Sequence, residues 1–193
     1  MKNALLRIAV LLVLTSTIAF IIWTTARPTT TDAVVHELAS RSARGDAYWL
    51  YERAMPVEQS LMSKEVLQEF YRTFLAPMLK DAAISQSDVF YRETSHAVLY
   101  LEIERKGMPT AQVPVSGYVI DGKPRVSAFH TLLTVYGYLR CPGMEGRELA
   151  NCTWKDVGPW LLERGVREWY LIDSDAVLPV PGAKSAGQQG GGD

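Results

Sequence analysis

Apolar and polar residues change their rhythm three times along this chain, and each change predicts a different kind of element. The first segment, "ALLRIAVLLVLTSTIAFIIWTTA" (Ala4 to Ala26), has almost no polar rhythm: from Ile8 to Trp23 it carries no charge. Crossing a bilayer core takes roughly 17 to 25 such residues, so Ala4–Ala26 is expected to be a transmembrane anchor that contacts membrane lipid along its length. A cleaved secretory signal is the alternative, with Lys2 and Arg7 as the basic start and Thr24–Ala26 before the cut. The apolar run exceeds the usual h-region of roughly 7 to 15 residues, which favours the uncleaved anchor. No cysteine lies near the segment, so a lipoprotein anchor is excluded.

The second rhythm is close to four. After a linker over 27–31, Val34, Val35, Leu38 and Ala39 and then Ala47, Leu50, Tyr51 and Ala54 recur at helical spacing behind Asp32, which suits a helix N-terminus. An interruption is expected near Gly45. A second helix is predicted from Ser63 as N-cap, with Val66, Leu67, Phe70, Tyr71, Phe74, Leu75, Met78 and Leu79 forming one broad apolar face. Pro77 should kink or end it.

The third rhythm is two. "HAVLYLEIER" (His96 to Arg105) sets Leu99, Leu101 and Ile103 against Tyr100, Glu102 and Glu104, the pattern of a half-exposed strand. "AQVPVSGYVID" repeats it, with Pro114 pointing to an edge or a bulge. Asp121-Gly122 is a tight-hairpin turn. "RVSAFHTLLTVYGYL" (Arg125 to Leu139) is rich in Val, Thr, Phe and Tyr and reads as a long strand bent at Gly137. That reading places Phe129, Leu133, Val135 and Leu139 on one face and His130, Thr134, Tyr136 and Tyr138 on the other. A short helix from Thr153 to a C-cap at Gly165 and a last strand, "VREWYLID", follow. From Val177 the Gly-, Ser- and Gln-rich end is expected to be a disordered tail over 177–193. The fold class is therefore α+β: an N-terminal transmembrane helix, then two helices packed on a curved antiparallel sheet, with the exported domain spanning 32–176.

Charge fixes the orientation. Lys2, Arg7 and the amino terminus flank one end of the apolar segment and only Arg27 lies close to the other, which predicts a single-pass protein of the inner membrane with its domain in the periplasm or outside. The two cysteines then acquire meaning, because in an oxidising compartment Cys141 and Cys152 are free to close a disulfide around "PGMEGRELAN". A zinc site needs more thiolates or imidazoles than this neighbourhood holds. The 20 Lys and Arg against 21 Asp and Glu leave a net charge of −1, so no field gathers nucleic acid.

The stretch "ARGDAYWLYERAMPVEQSLMSKEVLQEFYRTFL" (Ala43 to Leu75) resembles the opening of nuclear-transport-factor-2-like domains, and the element order is similar over Asp32 to Leu139. The resemblance implies a cone-shaped sheet whose concave side holds a small ligand or docks a partner. A cystatin-like sheet with one helix is the rival fold.

Chemistry is sparse. Of His36, His96 and His130, the last is best placed, with Asp121 or Tyr118 as neighbours across a sheet, and Ser127 with His130 has no readable third partner. Walker spacing is missing after Asp121, so no cofactor is implied. "NCT" (Asn151 to Thr153) matches the N-glycosylation pattern but is hard to reconcile with a disulfide at Cys152. Two functions remain. One is a protein-interaction domain, an accessory or scaffold subunit of a secretion- or conjugation-type envelope assembly and a partner of other envelope proteins. The other is an exported small-ligand binder or enzyme with a pocket lined by Tyr71, Tyr118 and His130. Either is compatible with a homo-oligomer.

Overall fold

The computed structural model describes residues 30–183. The expected anchor over 1–26 and the end of the expected tail, 184–193, lie outside the described residues. Among the described residues no helix is long and apolar enough to cross a membrane.

The helical half begins with α1 (Thr31–Arg44), whose Val34, Val35, Leu38 and Ala39 are buried along one stripe. Gly45 ends it in the left-handed region at φ 70°, as the interruption expected from the sequence requires. Asp46 then starts α2 (Ala47–Arg53) by accepting the Trp49 N–H at 3.0 Å. After α3 (Pro56–Leu61), Ser63 caps α4 (Lys64–Phe70) through the Val66 N–H. The chain continues through a π-helical turn, Tyr71–Leu75, into α5 (Ala76–Leu79). Of the kink or end expected at Pro77, the end does not occur, and the run is instead interrupted by the π-helical turn before it. The wide turn just ahead of it respaces the carbonyls that a proline ring would otherwise strike.

The sheet is antiparallel and curved: β1 (Ala83–Gln86), β2 (Tyr91–Arg92), β3 (His96–Glu104), β4 (Ala111–Ile120) and β5 (Lys123–Arg125), in the order β1-β3-β4-β5 with β2 also on β3. Its register separates two faces. Leu99 opposite Val115 and Leu101 opposite Val113 turn toward α1, while His96 opposite Tyr118, Val98 opposite Ser116 and Tyr100 opposite Pro114 turn away. Contact with α1 is so close at Gly117 that a Cβ there would sit 2.8 Å from the Val35 nitrogen. Pro114 lies where β4 has β3 on one side only, since β5 pairs only Tyr118–Ile120, so its missing N–H leaves no ladder bond unmade. Asp121 (φ 52°) and Gly122 (φ 69°) form the two-residue turn between β4 and β5.

The expected long strand over 125–139 is a helix. After β5 the chain enters α6 (Ala128–Arg140), with Phe129, Leu132, Leu133, Val135, Tyr136 and Leu139 all buried. Burial around nearly the whole circumference outweighs the modest β-preference of Val, Thr and Tyr. Gly137 is not a bend but a crossing point: a Cβ there would meet Thr153 Oγ1 at 2.6 Å. The helix expected to begin at Thr153 is α7 (Gly146–Glu163), which starts seven residues earlier and runs through Pro159; Thr153 instead bonds back to the Leu149 carbonyl at 2.7 Å. Gly165 does follow its end at φ 77°, with the Gly165 and Val166 amides turned back to Leu162 and Leu161.

Cys141 and Cys152 form the disulfide expected from the sequence, across a Cα separation of 6.4 Å. It joins the end of α6 to the middle of α7, beside the bonds from Tyr136 Oη and Arg140 Nε to Asp156 Oδ2. The last strand, β6 (Glu168–Leu171), pairs with β7 (Ala176–Pro179) in a separate hairpin. The boundary expected at Val177 therefore falls inside a strand. Val180, 1% exposed, is held beyond it by a bond from its N–H to the Arg167 carbonyl at 2.8 Å, so the domain extends past Val180.

Candidate functional site

The site grows from the face of the sheet turned away from α1. Alternation along β3 and β4 brings His96, Tyr100, Pro114, Ser116 and Tyr118 onto that outer face. β2 and the residue before it add Tyr91 and Phe90, 41% and 54% exposed. Phe90 stacks on Tyr100 with ring centres 4.3 Å apart, His96 stacks on Tyr118 at 4.6 Å, and Tyr91 meets His96 edge-on at 5.5 Å. The result is an aromatic strip on strands fixed by the sheet.

At one end the strip leads into a recess of about 260 Å³ between β4 and α6, whose walls include Pro114, Ser116, Tyr118, Ser127, His130 and Asp173. His130, Thr134 and Tyr138 are four apart, so one face of α6 presents all three. Asp173 arrives from the short 3₁₀ turn Ile172–Ser174 after β6 and accepts a hydrogen bond from the Tyr118 hydroxyl. Burial, reinforced by that bond, pushes the Tyr118 phenol up. Burial also holds His130 below its ordinary value, opposed by the Asp173 charge, which favours the protonated imidazole. The Ser127 side chain is 3% exposed, and its hydroxyl has no hydrogen-bond partner.

A second cavity, about 310 Å³, lies between α6, α7 and the β6–β7 hairpin, lined by Leu133, Leu149, Trp154, Trp169 and Leu178 among others. His130 and Thr134 belong to both linings. Trp154 and Trp169 are 5.4 Å apart, and the His130 ring is 5.9 Å from Trp169.

A buried carboxylate fixes the helix that carries this site. Glu58 of α3, 4% exposed, accepts the Ala128 N–H at 3.2 Å and the Phe129 N–H at 2.7 Å, the first free amides of α6. Burial raises its pKa to about 7 in spite of the two bonds.

Of the pocket residues expected from the sequence, Tyr118 and His130 line one recess. Tyr71 stands elsewhere: its hydroxyl donates to the Ala43 carbonyl at 3.3 Å, and its ring fills the space over Gly45. Asp121 is at the hairpin tip, and the carboxylate beside His130 is Asp173. Ser127 and His130 share the recess without a hydrogen bond between them, so no activated nucleophile is assembled there. Sequence reasoning missed Asp173, Trp154, Trp169 and Glu58. Each comes from an element distant in the chain, and none left a trace in the pattern: even Glu58 lies beside Gln59 and Ser60 in a short mixed segment. Comparison with known family models, curated proteins and solved structures finds none that matches this chain.

Proposed function

We propose that this chain is a membrane-tethered, exported protein-interaction domain, an accessory subunit of a cell-envelope assembly, and that it docks its partner on the outer face of the sheet. The exposed pair Phe90 and Tyr91 carries the reading. Large rings held against the sheet, Tyr91 in β2 and Phe90 by its stack on Tyr100, supply contact area at little entropic cost, and aromatic side chains are enriched where partners bind. The apolar segment at Ala4–Ala26 and the Cys141–Cys152 disulfide support export. Helices followed by a curved antiparallel sheet support kinship with the nuclear-transport-factor-2-like domains, from which the α6–α7 hairpin departs.

A photo-crosslinking amino acid at position 90 in the full-length protein, expressed in its own cell, tests the reading. The expected product is a discrete adduct with one envelope protein, lost when Tyr91 is also changed to Ser. No adduct, or adducts equal to those from exposed Glu163, would overturn it. A second reading, a small ligand held beside His130, is favoured by the unbonded Ser127 hydroxyl in the recess.

A further inference from the structure

We propose that the two cavities flanking His130 and Thr134 form one site for a small amphipathic aromatic molecule: a ring body about the size of a naphthalene lies against Trp154 and Trp169, and an uncharged or cationic head reaches Asp173 and Ser127. The inference is independent of the docking surface proposed above.

Volume sets the body. The cavity walled by the two indoles, at about 310 Å³, is roughly twice the 150 Å³ that accommodates a single benzene. Its walls are mainly aliphatic and indole side chains, with His130, Thr134 and Thr153 as the polar ones, and two rings 5.4 Å apart favour an aromatic partner over a flexible chain. Charge sets the head. Neither lining contains a Lys or Arg, and the one carboxylate in them is Asp173, so an anionic head would meet a like charge and find no cation. A hydroxyl or ammonium head finds acceptors at Asp173 and at the Ser127 oxygen, which is buried without a partner. Such a hydroxyl in the wall of a recess marks where an incoming polar group would complete the hydrogen bonding. Residues 184–193, "KSAGQQGGGD", hold no aromatic or branched aliphatic side chain that could serve as the body.

The purified full chain is titrated with 2-naphthylmethanol, 2-naphthylmethylamine and 2-naphthoate, reading tryptophan fluorescence and calorimetric heat. The alcohol and the amine are expected to bind saturably, and the carboxylate at least tenfold more weakly. Asp173→Asn should shrink the gap between amine and carboxylate while retaining the alcohol. Ala150→Trp, at an exposed helical position on the cavity wall, should block all three with the unfolding temperature unchanged. Equal affinity for the three probes overturns the assignment of the head. Absence of saturable binding, or binding indifferent to Ala150→Trp, overturns the site.

Discussion

Glu58 gives the sharpest test of how the helix that carries the recess is held. Its carboxyl is 4% exposed and accepts two amide hydrogens at the start of α6, at 3.2 and 2.7 Å. Burial moves its pKa from an ordinary 4.5 to about 7, so between those values the folded protein keeps a proton that the unfolded chain releases. The group's contribution to stability is therefore fully present below about pH 4.5 and is lost as the pH rises through about 7. At about 1.4 kcal/mol per pH unit of displacement, the loss between pH 5 and pH 8 is about 2.5 kcal/mol. Urea unfolding of the full chain, followed by tryptophan fluorescence at both pH values, measures it. Glu58→Gln keeps the shape and removes the titration, so its stability should change less over this range by about that amount. The Tyr170 phenol, raised to about 12 by burial first, also responds to the Glu58 charge, and it stays protonated throughout. If wild type and Glu58→Gln lose stability in parallel, the carboxyl is ionised in the fold at both pH values and the reasoning fails.

Three further outcomes follow from the same geometry. Removing the disulfide by Cys141→Ser with Cys152→Ser frees a loop with a sequence separation of 11 and should cost roughly 3 kcal/mol, seen as a lower unfolding temperature that reductant no longer changes. Gly45→Ala and Gly122→Ala meet similar backbone strain, at φ 70° and 69°, but only at Gly45 does the new methyl collide with a ring, that of Tyr71; chemical denaturation should show Gly45→Ala losing at least about 1 kcal/mol more. Asp173→Asn removes the charge that supports protonation of His130, so the imidazole pKa read by NMR titration should fall further, and a rise would show that Asp173 does not face it.

Much of the local structure was legible before the fold was known. Ser63 as a cap, Gly45 as a helix end, Asp121-Gly122 as a hairpin turn and the alternation in β3 all depend on a few adjacent residues, and each stands where the sequence puts it. The reading of α6 as a strand failed for a physical reason. Most residues from Ala128 to Leu139 are buried, the partly exposed ones, His130, Thr134 and Tyr138, recur at a spacing that a strand's period of two also satisfies, and the Val, Thr and Tyr content favours the wrong element. His130, Thr134 and Tyr138 still share a face, because a spacing of four is two strand repeats and close to one helical turn. Tyr136 does not, and in the helix it turns into the core, where its hydroxyl reaches Asp156.

The candidate site was legible only in part. Tyr118 and His130 stood out as titratable groups on neighbouring elements. Tyr71, on the apolar stripe of the helical run, is used to cover Gly45 and bond Ala43. Asp173 reaches the recess, and Trp169 the neighbouring cavity beside Trp154 of α7, because β6 folds back as a hairpin instead of joining the main sheet, and no local pattern encodes where a hairpin packs. By itself the sequence determined the elements whose signals span a few residues: caps, turns, strand alternation and the pairing of its only two cysteines. Tertiary structure alone decided that a β-rich stretch became the central helix and that Glu58 holds its first amides. It also decided which side chains meet around His130, because burial and long-range contact are properties of the packed chain and outweigh the small intrinsic preferences of single residues.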